Sequence, residues 1–385
     1  MASTRSIPFG MPIIGEEERA AVQAVMNNPI LVHGPRAEQF EQAFSEWIGG
    51  GHAVSVSSCT AGLHLAYFAW GIGAGDEVIV PAQTHTATAH AVELTGAKAV
   101  FVDAEPRTGN IDISAIEAAV TPRTRAISIV HYLGVPVDMP AVMRIAERHN
   151  LKVVEDCALA IGTRLNGVHA GLHGDVGCFS FYPVKHMTTA EGGMMTTRDP
   201  AFAALLKRVR AFGVDRHVGE RKIPGVYDVT MLGFNYRMNE IEAAIGIEQV
   251  KRLDFILERR AANFAALRAG LSGHPDITLF EGPPAGGVDS HYCLSAILSD
   301  RCAAVREKIV AAINARGVGT SIYYPRPVPH MTYYTQKYGF APDSFPVAAR
   351  ISGNSIALPV GAHLDTGDMA YVADSVKAAI AEVMA

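Results

Sequence analysis

The chain is poor in the features that would make it a cross-linked, membrane-bound or nucleic-acid-binding protein. Its five cysteines, Cys59, Cys157, Cys178, Cys293 and Cys302, include no C-x-x-C pair, and three fall inside predicted buried elements. Free thiols are therefore expected rather than a disulfide framework. No apolar run is long enough to span a bilayer, and Met1 to Gly10 lacks the apolar centre of a signal peptide. The expected location is the cytoplasm, with no membrane partner. A formal net charge of -5 offers no surface for a nucleic acid. His169 and His173 stand four apart, but Gly171 between them breaks the helix that a metal-ligand pair would need, so they read as loop residues and no metal is expected. Solenoid and propeller repeats and low-complexity segments are absent as well.

What is present is a long, apolar, weakly charged chain. Its 385 residues are 49% hydrophobic and 18% charged, which suits a compact protein of one large and one smaller domain. The division expected is an N-terminal helical segment over 1–50 that packs on the small domain, a large domain over 51–270 and a small C-terminal α/β domain over 271–385. Two helical patterns, Gly15 to Met26 and Arg36 to Ile48, open the chain and close on Gly49, Gly50 and Gly51. From Val54 onward short β-branched runs alternate with amphipathic stretches: Val54 to Ser57, Glu77 to Val80, Ala99 to Asp103, Arg125 to Val130 and Lys152 to Glu155. That rhythm predicts an α/β fold with a mostly parallel sheet between helices. Ligands of such sheets sit beyond the carboxyl ends of the strands, so the residues just past each run come first as site candidates.

The stretch CFSFYPVKHMTTAEGGM, Cys178 to Met194, carries the most informative of them. A strand ends, the chain turns sharply at Lys185, and a second strand runs from Gly193 to Thr197. A lysine half-stripped of water there has a lowered ammonium pKa and a neutral amine free for Schiff-base chemistry. The alternative is a lysine that snorkels from a strand end to solvent. After the first run, SSCTAGLHLAYFAW places Ser58 and Thr60 before a helix, where free N–H groups would cradle a phosphate or the hydroxyls would merely cap. After the second run, His85 emerges at the same rim, either to lie against a planar ring or to start a helix in water. Asp156, at the end of a buried strand, calls for a cation such as a pyridinium nitrogen, or else caps the next turn. Ser180 lies five residues before Lys185, within reach of the same phosphate or as a plain strand serine.

Farther on, the loop Gly213 to Thr230 holds Arg216, His217, Arg221 and Lys222, long enough to grip a substrate or to be a solvated surface loop. A long helix is expected from the segment after Glu240, with core positions at Ile241, Ile245, Val250, Leu253, Leu257, Phe264 and Leu267. A Pro/Gly linker, EGPPAGG, follows at Glu281 to Gly287. Beyond it come a strand over Tyr292 to Leu298, a helix over Cys302 to Arg316 and a closing helix over Asp368 to Met384. Between the two helices, prolines around His330 in YYPRPVPH fix an extended segment able to carry side chains into a cleft. A lysine amine, an anion for a ring nitrogen, a phosphate cradle and a ring-stacking residue at strand ends together describe a site for pyridoxal 5'-phosphate.

These residues carry a likeness. The stretches GDEVIVPAQTHTATAHAVELTGAKAVFVD, VVEDCALAIGT, GDVGCFSFYPVKHMTTAEGGMMTT, GFNYRMNEIEAAIGIEQVKRLD and YYPRPVPH make the chain resemble the fold-type I pyridoxal-phosphate sugar aminotransferases of the DegT/DnrJ/StrS family, from about Pro12 to the final helix. The resemblance implies a seven-stranded, mostly parallel sheet. It implies that Lys185 holds the cofactor as a Schiff base, Asp156 pairs with the pyridine nitrogen and His85 stacks on the ring. Thr60, the Ala61 backbone and Ser180 would bind the phosphate, with Asn235 supplied across a homodimer whose active sites are shared. L-glutamate would be the donor and a ketosugar, in all expectation nucleotide-linked, the acceptor. Arg216, Arg221 and Lys222 would be available for its diphosphate and His330 for the substrate. A non-sugar ketone or aminocyclitol, or a cofactor-sensing regulator, would leave the same cofactor motifs. Three departures stand out: Leu159 where relatives often carry Gln or His, Cys59 in place of a glycine, and histidine at the stacking position. A branch of the family that dehydrates sugars has histidine for the lysine. Lys185 speaks against that branch, with His186 beside it as the residue to distinguish.

Overall fold

A computed structural model describes residues 5–215, 223 and 225–385. Its centre is a seven-stranded sheet of β1 (His52–Val56), β2 (Glu77–Pro81), β3 (Lys98–Val102), β4 (Thr124–Val130), β5 (Lys152–Asp156), β6 (Val176–Ser180) and β7 (Gly193–Thr197). The spatial order is β1-β7-β6-β5-β4-β2-β3. Pairs β2–β3, β2–β4, β4–β5 and β5–β6 are parallel, while β7 is antiparallel to both β6 and β1. Strands buried on both faces need no polar alternation, and β2 and β6 are buried at every position. All strands except β7 therefore point their carboxyl ends to one edge of the sheet, where β7 begins.

Helices α1 (Glu16–Met26) and α2 (Pro35–Ile48) pack on the helix Glu240–Val250 beside this large sheet, not on the C-terminal body as the sequence reading expected. The reason lies in the apolar stripe of α2. Phe40, Phe44 and Ile48, one turn apart, are fully buried, and Phe44 meets Phe179 of β6 at 5.0 Å and Phe181 at 5.6 Å between ring centroids. Gly246 permits the approach, since a Cβ there would stand 2.6 Å from the Phe40 ring. Truncating Phe44 to alanine would cost about 3–5 kcal/mol by the usual penalty for an emptied core ring. The arm before α1 reaches the C-terminal body, where Ile7 bridges to Val318, and Trp47 of α2 donates to Asp254 of the helix Leu253–Leu271 at 3.0 Å.

That body is built on an antiparallel sheet of Ile277–Leu279, Leu294–Leu298 and Ser355–Leu358, covered by the helices Leu253–Leu271, Arg306–Ala315 and Thr366–Met384. The long helix expected after Glu240 is two, Glu240–Val250 and Leu253–Leu271, broken where Arg252 leaves regular geometry and pairs with Glu17 and Glu18 of α1. The helix expected over Cys302 to Arg316 is likewise divided, into Asp300–Ala303 and Arg306–Ala315. Among the described residues no helix is long and apolar enough to cross a membrane.

Candidate active site

The carboxyl edge of the large sheet opens on a cavity of about 490 Å³. Residues just past β1 (Ser58, Cys59, Thr60), past β2 (His85) and at and past the end of β5 (Asp156, Leu159) line it, as do Ser180, Lys185 and Glu191 between β6 and β7. The segment Ser321 to Pro325 of the C-terminal body forms another part of its wall.

Asp156 is only 4% exposed. Its Oδ1 accepts the N–H of Ala158 at 3.0 Å and its Oδ2 the hydroxyl of Thr88 at 2.8 Å; Thr88 in turn lies 2.7 Å from the Thr84 hydroxyl. The Ala158 contact is the turn cap that sequence offered as an alternative, yet each carboxylate oxygen retains a lone pair and the side chain lines the cavity. Cys59 Sγ stands 3.9 Å from Oδ1, and burial, reinforced by the Asp156 charge, holds that thiol well above its usual pKa.

Lys185 closes a tight turn, its N–H bonding the Tyr182 carbonyl at 2.9 Å, and its Nζ lies 5.2 Å from the centre of the Tyr292 ring. The residue is half-buried and lines the cavity. Dense protein around the amine lowers the ammonium pKa, opposed by the Asp156 carboxylate. His186 is turned away and buried, with Nε2 3.0 Å from the Ser290 carbonyl; burial pulls its pKa far down. Lys185, not His186, is the nitrogen base of the cavity.

The helix α3 (Cys59–Ala69) aims its first turn at the same space. Ser58 caps it by accepting the Ala61 N–H at 3.1 Å, so the Ala61 backbone expected to hold phosphate is already engaged, and Ala61 is absent from the cavity lining. The N–H groups of Cys59 and Thr60 have no acceptor within the helix, and among the described residues the Ser180 Oγ accepts only the Tyr182 N–H, at 3.4 Å. Gly193 lets β7 start against this turn: a Cβ there would lie 2.6 Å from the Cys59 nitrogen. A helix N-terminus flanked by hydroxyls suits a phosphate.

His85 caps α4 (Thr86–Glu93), its Nδ1 accepting the Ala87 N–H at 3.1 Å, and meets Tyr324 edge-on at 5.7 Å. Partial burial lowers its pKa, opposed by the Asp156 charge. His85 thus starts the helix and also lines the cavity. Asn235 is exposed, bridges to Ala211 and does not line this chain's cavity. Arg216, His217, Arg221 and Lys222 lie outside the described residues. His330 is a correction: a short helical turn over Val328–His330 directs it to Ser344, Nε2 to Oγ 3.1 Å, away from the cavity. The proline-rich segment does enter the site, but through Tyr323 and Tyr324 seven and six residues earlier. Thr84 and Thr88 were also missed; their spacing of four, one helical turn, was the available signal.

Among the described residues one other group of possible metal ligands converges, His131, Glu155 and Cys157, all buried. Glu155 is already saturated there by His131 Nε2 at 2.9 Å and by the N–H groups of Gly171, His173 and Gly174, while His131 Nδ1 accepts the Val137 N–H. This is a structural knot that ties β4 and β5 to the following loop.

The donor set fits pyridoxal phosphate. An amine, a buried carboxylate with spare lone pairs and an open helix terminus with Ser180 beside it share one cavity wall.

Comparison with known proteins supports the same assignment. Residues 12–377 match the model of the DegT/DnrJ/EryC1/StrS aminotransferase family. The chain is 34% identical over 375 residues to the spore coat polysaccharide biosynthesis protein SpsC of Bacillus subtilis (strain 168), covering 96% of each. Among solved structures it is similar to the aminotransferase TlmJ from Streptoalloteichus hindustanus, with 32% identity and a TM-score of 0.90 over 98% of this chain and 100% of that one. It is also similar to the putative sugar aminotransferase Spr1654 from Streptococcus pneumoniae in its PMP form, with 26% identity and a TM-score of 0.93 over 98% of this chain and 100% of that one.

Proposed function

The chain belongs to the DegT/DnrJ/EryC1/StrS aminotransferase family and is a pyridoxal-phosphate-dependent enzyme, and on that premise we propose that it moves an amino group from L-glutamate to a keto group of a nucleotide-linked deoxysugar. The observation that carries the reading is the meeting of Lys185 and Asp156 on one cavity wall. Similarity to SpsC, named for polysaccharide biosynthesis, supports a sugar as acceptor.

Pyridoxal phosphate, when bound, supplies an aldehyde that amines can capture and a protonated ring that draws electrons from the carbon bearing the amino group. In this reading the Lys185 amine, whose ammonium pKa burial lowers, takes the proton from the donor's α-carbon and delivers one to the acceptor's former carbonyl carbon in the return half. The Asp156 carboxylate, oriented by Thr88 and Ala158, holds a proton on the ring nitrogen. The N–H groups of Cys59 and Thr60 with the Ser180 hydroxyl bind the phosphate, and His85 covers the ring. The outward position of Asn235 suits a homodimer in which the partner's Asn235 completes the phosphate site.

Replacing Lys185 by alanine is expected to lower amine transfer at least about a thousandfold, as loss of a nucleophile and proton carrier does. Rapid-mixing assays of each half-reaction check it. Undiminished transfer in that variant would remove the assignment.

A further inference from the structure

Glu191 occupies an unusual place in the cavity wall. It lies between Ala190, at φ +73°, and Gly192, at φ +151°, backbone that ordinary side chains avoid. The loop is held there from several sides. Ala190 N–H bonds the Thr188 hydroxyl at 3.0 Å, the Thr189 hydroxyl bonds the Glu191 carbonyl at 2.5 Å, and Phe181 N–H bonds the Gly192 carbonyl at 3.0 Å. A side chain on Gly192 would stand 2.3 Å from the Thr189 hydroxyl. The loop so held places one carboxylate on the cavity lining, where Glu191 is exposed and among the described residues nothing hydrogen-bonds to its side chain or forms an ion pair with it. Glu242 stands close enough that the Glu191 charge adds to burial in raising its carboxyl pKa. Glu242 is not on the cavity lining, where Glu191 and Asp156 are the carboxylates and, apart from Lys185, the described residues include no lysine or arginine.

A carboxylate so placed accepts hydrogen bonds from hydroxyl groups, with Ser321, Tyr182 and Tyr323 on the same lining. We infer that Glu191 is the specificity-determining residue of the site, its carboxylate accepting hydrogen bonds from the hydroxyls of a polyhydroxylated acceptor ring. The inference rests on the aminotransferase reading of the same cavity.

The test compares holoenzyme with the variants E191Q and E191A, following each half-reaction by absorbance. L-glutamate is the donor probe; a nucleotide 4-ketosugar and scyllo-inosose are the ring acceptors, and pyruvate is an acceptor with no ring hydroxyl. For whichever ring the wild type aminates, E191A is expected to lower kcat/KM by roughly tenfold or more, the value of a hydrogen bond to a charged group, with E191Q between. The glutamate and pyruvate half-reactions should stay within about threefold, and calorimetric binding of the aminated ring should weaken in parallel. Unchanged ring kinetics, an equal loss with pyruvate, or dissociation of the variant into smaller species on sedimentation would overturn the inference and make Glu191 a structural or intersubunit residue. Wild-type protein that aminates pyruvate but neither ring would instead overturn the proposed function, and the inference with it.

Discussion

Thr88 donates its hydroxyl hydrogen to Asp156, Oγ1 to Oδ2 2.8 Å, across the gap between the helix after β2 and the end of β5. Thr88 is wholly buried, so no water can take over that bond. The T88V variant keeps the shape and loses the donor. It is expected to be about 1–2 kcal/mol less stable, the cost of a buried acceptor left short of a partner, and to bind pyridoxal phosphate several-fold more weakly. T88S should restore both. Thermal unfolding and a fluorescence titration with the cofactor report the two effects.

Acid stability follows from two buried groups of opposite charge type. His169 accepts the Gly162 N–H on Nε2 at 2.9 Å and lies with Nδ1 2.6 Å from the Ala170 carbonyl; burial pulls its pKa from 6.5 to about 4. Between those values the unfolded chain binds a proton that the folded chain refuses, so stability falls as pH drops through that window, by about 3 kcal/mol in all. Burial pushes the Glu155 carboxyl up, but His131 and backbone N–H groups outweigh it and leave the pKa below 4.5. Its contribution is complete above that pH and is lost as pH falls through the folded value. Urea unfolding at about pH 7, 5.5 and 4 should show a steady decline. Equal stability at the first two would contradict a neutral buried imidazole.

Thiol chemistry offers a third check. All five cysteines are buried, and burial raises the pKa of Cys59, Cys157, Cys178 and Cys293. A thiol reagent that needs thiolate should find essentially none in the native protein near pH 8 and five after denaturation. Fast reaction of a native thiol would show that the sheet opens locally.

Much of this architecture could be read from residue order because buried parallel strands write themselves as short apolar runs. The runs at Glu77 and Lys152 end within a residue of the strands, and Asp156 and Lys185 follow from what a strand end can hold. Features that depend on distant contacts were illegible. The break at Arg252 answers to glutamates in α1, some 235 residues away, and α2 chose the large sheet because Phe179 and Phe181 receive its rings. His330 looked functional through its prolines, yet those prolines turn it toward Ser344. Thr88 was invisible for another reason: a threonine inside a helix becomes informative only once the strand end it touches is known.

The segment from Ser321 is anchored to Ala357 by two backbone hydrogen bonds, at 2.8 and 3.1 Å, and to the large sheet through the Tyr323 carbonyl, which accepts Gln83 Nε2 at 3.1 Å, and the Val328 N–H, which bonds the Ala82 carbonyl at 2.9 Å. Its neighbours Tyr323 and Tyr324 line the same cavity as Lys185. The width of the cleft is therefore set by a wall that shares one core with the large sheet, through Tyr324, Val328 and Ala357, and a substitution deep in that shared core can retune substrate access without altering any residue that a substrate touches.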